Sequence, residues 1–251
     1  MIRLAGARKD YDGRAVLGPV HLEIERATRL AVIGPSGCGK STLLRLLLGL
    51  VAADGGRVEV DGRPLDPEDL GDWRRRCGYV VQEGGLFPHL SARDNVELVA
   101  RLRDWSDERR QARTAELGRL ARLGPDLWER FPSELSGGQR QRVGLVRALF
   151  LDPDVLLLDE PFGALDPVTR LELQEDVAAM LATLSKTVLF VTHDLAEAAY
   201  VADELLLLRD GRVVQRGTPS DLATRPADPW VRRFVEAHRP PPGLTADGEK
   251  Q

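Results

Sequence analysis

The sequence predicts an α/β fold built on a parallel sheet, and two observations support this prediction. Short apolar runs of strand length, such as residues 30–33 and 155–158, alternate with longer segments rich in Leu, Ala, Arg and Glu. Such alternation is typical of parallel strands connected by crossover helices. In addition, the run at 30–33 leads through a glycine-rich loop into a helical pattern, which is the context of a phosphate-binding loop.

The individual elements follow from local pattern. Continuous apolar runs indicate buried strands, and Gly124-Pro125 ends a long helical pattern. In chain order we predict a strand at 30–33, a helix at 41–50, a strand and turn at 57–62, a strand at 78–81, helical structure at 91–122, a helix at 139–150, a strand at 155–158, a crossover helix at 167–184, a strand at 187–191 and a hairpin at 205–215. Residues 240–251, which begin with three prolines, are expected to form a flexible tail.

Composition and charge argue against several classes of function. The 251 residues include 35 Lys and Arg against 39 Asp and Glu, whereas a dedicated nucleic-acid-binding domain usually has a basic surplus. The two cysteines, Cys38 and Cys77, argue against a disulfide framework and favour a reducing compartment. No apolar run approaches the ~20 residues that a membrane span requires. We therefore expect a soluble protein that reaches a membrane only through a partner.

A phosphate-binding motif, G-x-x-x-x-G-K-[ST], occupies residues 34–41 in full. Its glycines allow backbone N–H groups to surround phosphates, and the following helix N-terminus adds favourable partial charge. Lys40 is predicted to contact the β- and γ-phosphate oxygens, and the Ser41 hydroxyl is predicted to bind Mg²⁺. The residues predicted to bind nucleotide here are Gly34, Pro35, Ser36, Gly37, Cys38, Gly39, Lys40, Ser41 and Thr42.

Two carboxylates follow the apolar strand at 155–158. Asp159 is predicted to hold Mg²⁺, directly or through water, and Glu160 is predicted to act as general base on the attacking water. A strand that ends in Asp-Glu is a weak signal alone. Downstream of a phosphate loop, it indicates the second half of a nucleotide-hydrolysing site.

The pentapeptide Leu-Ser-Gly-Gly-Gln at 135–139 precedes a helix that we expect to begin at about Arg140. Ser136 can cap this helix, and the glycines at 137 and 138 expose backbone N–H groups. The segment is therefore a second candidate anion-binding helix start.

These motifs, in this order, resemble the ATP-binding subunits of ABC transporters from Tyr11 to about Phe234. The resemblance implies a P-loop NTPase with a RecA-like parallel sheet core, an N-terminal antiparallel β subdomain and a helical signature subdomain. It places all three in one ATPase domain over residues 1–239, with the helical subdomain inserted at about 84–147. Residues 240–251 then form the tail.

The resemblance also implies roles for residues outside the phosphate loop. Tyr11, with Val16 behind it, matches the aromatic residue that stacks on adenine. Gln82 matches the glutamine that contacts Mg²⁺ and the attacking water, and His193 matches the histidine that senses the γ-phosphate. Together with Glu160, Gln82 and His193 form the implied catalytic set.

By the same resemblance, two copies of the chain, or this chain and a homologous one, close head-to-tail on two ATP molecules. Residues 163–166 match the loop that crosses the dimer interface. The residues that reach the partner's nucleotide in trans are then Ser136, Gly137, Gly138, Gln139 and Asp166.

Residues 82–90 contain Leu-Phe-Pro-His and are similar to the stretch of ABC importers that borders the groove for a short cytoplasmic helix of the permease. Leu86 and Phe87 either line that surface or fill a local core. Stretches at 131–135, 166–170, 217–219 and 229–234 resemble the importers of quaternary amines such as glycine betaine, carnitine and choline. Many members of that group carry a regulatory module after the ATPase domain, and we expect none within this length.

The implied system is an importer in which this chain lies at the cytoplasmic face of the membrane, bound to permease subunits that receive solute from a binding protein, without a nucleic-acid partner. Alternatives are an importer of an amino acid, a polyamine or sulfate, a soluble ABC ATPase acting on ribosomes or DNA, and an ATP-binding regulatory module without turnover. A single ATPase unit, with no long coiled coil before the pentapeptide, argues against the ribosome and DNA alternatives. The presence of Glu160 and His193 argues against a module without turnover.

Overall fold

The computed structural model describes residues 1–82, 85–163 and 165–238. The predicted tail at 240–251 and Ala164 of the predicted interface loop lie outside the described residues. The strands are β1 (Ile2–Tyr11), β2 (Arg14–Ile24), β3 (Arg29–Ile33), β4 (Gly55–Val60), β5 (Arg63–Pro64), β6 (Cys77–Val80), β7 (Val155–Asp159), β8 (Thr187–Thr192), β9 (Glu204–Arg209) and β10 (Arg212–Gly217). The α-helices are α1 (Lys40–Leu47), α2 (Leu70–Arg75), α3 (Ala92–Arg101), α4 (Asp107–Leu120), α5 (Gly137–Leu149), α6 (Pro167–Thr183), α7 (Leu195–Val201), α8 (Pro219–Thr224) and α9 (Pro229–Ala237).

Within the described residues, two sheets form the framework. The larger has the strand order β10-β9-β3-β8-β7-β6, and its strands are parallel except for the β9–β10 hairpin. The smaller sheet, ordered β2-β1-β4-β5, is antiparallel. The predicted α/β class with a parallel core and an N-terminal antiparallel sheet is therefore confirmed.

The parallel strands separate two apolar clusters because successive side chains point to opposite faces of a sheet. Leu156, Leu158 and Phe190 lie on the face covered by helices α3 to α9. Leu157 and Leu189 lie on the other face, which is covered by α1 and the smaller sheet. Burial on both faces explains why the sequence shows continuous apolar runs rather than alternation.

Several predicted boundaries shift. The helix after the phosphate loop begins at Lys40 and ends at Leu47, short of residue 50, and the strand predicted at 78–81 is β6. The helical stretch at 91–122 is interrupted: Asp104 adopts a left-handed backbone conformation and Ser106 caps a new helix, α4. No helix in the described part of the chain is both long and apolar enough to cross a membrane.

The helix expected to begin at about Arg140 begins at Gly137 instead. Because glycine is a poor helix former, two consecutive glycines predict that the helix begins only after them. Here the cap at Ser136 and packing against α6 favour helix from the first glycine onward. The proposed limits of the helical subdomain, about 84–147, enclose α3, α4 and most of α5 and stay a prediction.

Candidate active site

The phosphate loop connects β3 to α1 at the carboxyl edge of the parallel sheet. Two of its glycines are required by close backbone contacts at positive φ. A Cβ atom on Gly34 (φ 152°) would lie 2.1 Å from the Leu208 carbonyl oxygen, and one on Gly39 (φ 103°) would lie 2.8 Å from the Val16 carbonyl oxygen. Cys38 is buried in this loop, and burial raises the pKa of its thiol, which disfavours the reactive thiolate.

Lys40 lies across the loop that precedes it. Its Nζ donates hydrogen bonds to the carbonyl oxygens of Gly34 (2.9 Å) and Pro35 (3.0 Å), and its side chain is buried. An ammonium group carries three donors, so Lys40 can hold the loop and still contact a phosphate oxygen.

Ser41 and Asp159 join the two halves of the site. Ser41 Oγ donates a hydrogen bond to Asp159 Oδ1 over 3.1 Å. The Tyr79 hydroxyl donates to Asp159 Oδ2 over 3.3 Å. Burial raises the pKa of the Asp159 carboxyl, while the bonds from Ser41 and Tyr79 oppose that shift.

Tyr79 also contacts the site, although no sequence motif predicts it. It lies on β6 beside β7, and burial next to Asp159 raises the pKa of its phenol to about 12. It therefore stays protonated and donates to the carboxylate at neutral pH. Its only sequence signal is its place on the strand that leads to Gln82.

Glu160 and His193 face each other at the ends of β7 and β8. His193 Nδ1 lies 3.6 Å from Glu160 Oε2. Glu160 has a left-handed backbone (φ 45°), unusual for a non-glycine residue, and its N–H donates to the Val191 carbonyl over 2.9 Å. This turn directs the Glu160 side chain away from the strand, where 26% of it is exposed. Strain of this kind is concentrated at functional sites.

Of the two residues predicted to contact adenine, Tyr11 and Val16, Val16 lies next to the phosphate loop. Its carbonyl oxygen approaches both Gly39 and Gly211. Tyr11 is exposed at the end of β1, and Lys9 Nζ lies 5.4 Å from its ring centroid. Gln82 follows β6 and is exposed.

The pentapeptide at 135–139 forms the capped start of α5. The Gln139 N–H donates to Ser136 Oγ over 3.2 Å, and the Ser136 N–H donates to Gln139 Oε1 over 2.9 Å. Each side chain thus accepts from the backbone N–H of the other residue, and the first-turn N–H groups of Gly137 and Gly138 are left without partners within the helix.

The glycines also serve close packing onto the start of α6. A Cβ on Gly137 would lie 2.8 Å from Leu165 Cδ2, and one on Gly138 would lie 2.8 Å from Thr169 Cγ2. Asp166 caps α6 by accepting from the Thr169 N–H over 3.0 Å. Hydrogen bonds from the Thr169 side chain and then from its N–H lower the pKa of the Asp166 carboxyl. Two segments predicted to reach a partner subunit therefore contact each other within one chain.

A groove of about 490 Å³ runs along the outer edge of β6. Phe87 and Val99 are exposed on it, whereas Leu86 is half-buried against the larger apolar cluster. Of the two alternatives for these residues, Phe87 therefore lines the surface, whereas Leu86 packs into the core.

A parallel sheet whose carboxyl edge presents a lysine-bearing phosphate loop beside two carboxylates defines a P-loop NTPase. Residues 17–163 match the ABC transporter family, and the chain belongs to that family.

The chain is similar to several characterised members. It is 42% identical over 240 residues to the choline transport ATP-binding protein OpuBA of Bacillus subtilis (strain 168), a match that covers 95% of this chain and 63% of that protein. It is 43% identical over 234 residues to the glycine betaine uptake system ATP-binding protein YehX of Escherichia coli (strain K12), covering 93% and 76%. It is 42% identical over 234 residues to the sulfate/thiosulfate import ATP-binding protein CysA of Synechococcus elongatus, covering 93% and 67%. The chain thus spans about three fifths of the length of the choline relative.

The fold is similar to the ATP-binding cassette MJ0796, solved as a dimer in a post-hydrolysis state bound to ADP and Pi. The TM-score is 0.78 at 33% identity, and the match covers 87% of this chain and 99% of that one. The predicted family and fold class are thereby confirmed.

Proposed function

We propose that this chain hydrolyses ATP to ADP and phosphate and thereby drives solute import. The observation that carries the proposal is the Ser41–Asp159 hydrogen bond beside Lys40, which gathers three groups that phosphoryl transfer uses. The similarity to a cassette solved with ADP and Pi supports the choice of nucleotide.

The donor set fits Mg²⁺. Within the described ranges, no cluster of three His, Cys, Asp or Glu side chains could hold a metal by itself. Mg²⁺ is commonly held by one or two carboxylates together with phosphates and water, so the hydroxyl of Ser41, the carboxylate of Asp159 and the amide of Gln82 are suitable ligands. Held by these groups, such an ion would neutralise negative charge on the phosphates.

The protein side chains then divide the chemistry. Lys40 and backbone N–H groups of the loop after Pro35 hold the phosphates in place, so that positioning and charge stabilisation supply most of the catalysis. Glu160 accepts a proton from the attacking water, and His193, 3.6 Å away, contacts the γ-phosphate. Tyr11 stacks on the adenine base, with Val16 behind it.

Each site is completed by a second copy. The N–H groups of Gly137 and Gly138, in the first turn of α5, have no partner within the helix and suit an anion, because helix N-termini favour negative charge. In a two-fold dimer, residues 136–139 of one copy (Ser136, Gly137, Gly138 and Gln139) face the γ-phosphate bound by the other, with Asp166 at the same interface. The dimeric state of the similar cassette supports this arrangement.

The groove along β6 would accept an apolar helix of a permease at the cytoplasmic face of the membrane. Phe87 supplies an exposed ring, and Arg74 and Arg147 border the groove. Solute would reach the permease from a binding protein. The similarity to the choline and glycine betaine subunits favours a quaternary amine. Equal identity to the sulfate/thiosulfate subunit makes that anion the second candidate, since the permease and binding protein determine specificity.

The decisive test is Glu160→Gln. We expect the wild type to hydrolyse ATP with Mg²⁺, and the variant to bind nucleotide with turnover reduced at least about 100-fold, because the water loses its base. With ATP and Mg²⁺ the variant should elute as a dimer in sizing chromatography. Glu204→Gln, which changes a carboxylate paired with Arg216 on the sheet edge, is the control and should behave as wild type. A Glu160→Gln variant that stays monomeric, or turns over normally, would contradict the proposal.

A further inference from the structure

Glu197 is a buried carboxylate that the proposed mechanism does not use. It lies in the first turn of α7 and is 5% exposed, and this burial raises the pKa of its carboxyl. Buried carboxylates require compensating hydrogen bonds or charges. The partners of Glu197 therefore show what it holds in place.

On one side, Glu197 holds the segment that carries His193. Its Oε2 accepts a hydrogen bond of 2.5 Å from the hydroxyl of Thr192, which is 1% exposed. The same hydroxyl accepts from the Asp194 N–H over 3.0 Å. The residues before and after His193 are thus fixed by one buried hydroxyl that is itself fixed by Glu197.

On the other side, Glu197 faces the start of α6. Its Oε1 lies 3.8 Å from Arg170 Nε, an atom that is buried without a hydrogen bond among the described residues. Arg170 Nη2 donates to the carbonyl oxygen of Leu165 over 3.1 Å. Leu165 is followed by Asp166, the cap of α6, and its side chain lies beside Gly137.

We propose that Glu197 and Arg170 are positioning residues that join the His193 segment to the segment ending in Asp166. The inference rests on the proposed function, in which His193 contacts the γ-phosphate in its own subunit and Asp166 crosses to the partner. Through this link, a change in the dimer interface at 165–166 moves the backbone around His193. Neither residue is among those proposed to contact the nucleotide, so both would act through His193.

A similar cluster lies on two other helices, α3 and α4. Glu97 on α3 is 3% exposed and accepts hydrogen bonds from Thr114 Oγ1 (3.1 Å), Arg110 Nε (3.1 Å) and Arg101 Nη2 (3.2 Å). Both clusters contain a buried Glu that accepts from a buried Thr hydroxyl, and Glu97 is ion-paired with Arg93, Arg101 and Arg110 where Glu197 is paired with Arg170. Equivalent substitutions in both clusters therefore separate loss of stability from loss of positioning.

The experiment compares Glu197→Gln and Thr192→Val with Glu97→Gln and Thr114→Val. Nucleotide affinity, Tm, kcat and KM are measured for each. We expect the first pair to lower kcat about 10- to 100-fold, because small misplacements of a reacting group have effects of this size. Nucleotide affinity and KM should stay within about twofold, since the phosphate loop is unchanged. The control pair should lower Tm at least as much, because Glu97 has more charged partners, and leave kcat unchanged.

Thr192→Ser keeps the hydroxyl and should retain most of the wild-type kcat. It therefore tests the role of the hydroxyl even if Thr192→Val folds poorly. Equal losses of kcat in both clusters, or a Thr192→Ser variant as slow as Thr192→Val, would overturn the inference. If the wild type does not hydrolyse ATP, the proposed function is wrong, and the positioning role inferred for Glu197 and Arg170 is wrong with it.

Discussion

Ser41 Oγ donates a hydrogen bond to Asp159 Oδ1 over 3.1 Å, and so joins residues that are 118 positions apart in the chain. The strands that precede them, β3 and β7, are not neighbours, because β8 lies between them. All three strands are parallel, so their carboxyl ends share one edge. Ligands of open α/β sheets bind at this edge. The strand order therefore brings together the phosphate loop after β3, the carboxylates at the end of β7 and His193 after β8.

Asp159→Asn is expected to stabilise the nucleotide-free protein while abolishing turnover. Burial raises the folded-state pKa of this carboxyl above its unfolded value. Its favourable contribution is present below the unfolded pKa and is lost as pH rises through the folded pKa. At about pH 8 the free energy of unfolding should therefore be higher for the variant than for the wild type, and the difference should shrink toward about pH 4.

Urea denaturation without Mg²⁺ at both pH values measures this effect. Asp203→Asn is the control, because the bond from Arg29 lowers the pKa of that carboxyl and the sign is opposite. Asp203→Asn should lose stability at neutral pH, by at most about 1 kcal/mol for this partly exposed pair. If Asp159→Asn is less stable than the wild type at about pH 8, burial does not destabilise the ionised Asp159 carboxylate, and the prediction is wrong.

Ser136→Arg tests the capped start of α5 against a second serine cap in the same chain. Ser136 and Ser106 each accept a hydrogen bond from the backbone N–H three residues later. Replacing either one should cost about 1 kcal/mol of stability. Only Ser136→Arg should abolish ATP turnover, and it should do so with nucleotide affinity nearly intact. Normal turnover in Ser136→Arg would mean that this segment does not face a γ-phosphate.

Asn95→Ala should destabilise the loop that borders the proposed docking groove. Asn95 is fully buried; its side chain accepts from the Phe87 N–H (2.8 Å) and donates to the carbonyls of Phe87, Leu90 and Ser91. Leaving these groups unsatisfied should cost about 1–3 kcal/mol in urea denaturation. Phe87→Ala, which removes only an exposed ring, should change stability by less than about 0.5 kcal/mol. Similar losses in the two variants would contradict a clamping role for Asn95.

Much of this site could be predicted from the sequence because its motifs have strict steric requirements. The loop at 34–41 needs glycine where backbone carbonyls approach, as Gly34 and Gly39 show. The strand before Asp159 is apolar throughout because both faces of the sheet are covered. Such constraints depend on local geometry and are visible in a short stretch of residues.

The remaining residues could not be predicted, because their roles arise only in the folded chain. Tyr79 contacts Asp159 across neighbouring strands, and the contact of Glu197 with Arg170 needs α6 and α7 to pack together. The start of α5 was predicted wrongly for a similar reason. Glycine propensity favours a later start, whereas packing of Gly138 on Thr169 overrides it.

The central claim is that one active site is shared by two copies of the chain, and mixing two inactive variants tests it most directly. Lys40→Ala disables the phosphate loop, and Ser136→Arg disables the segment offered in trans. In a head-to-tail dimer, a mixed pair contains one site with both parts intact, so an equal mixture should recover about a quarter of the wild-type ATPase rate. A mixture that remains as inactive as either variant alone would contradict the shared site.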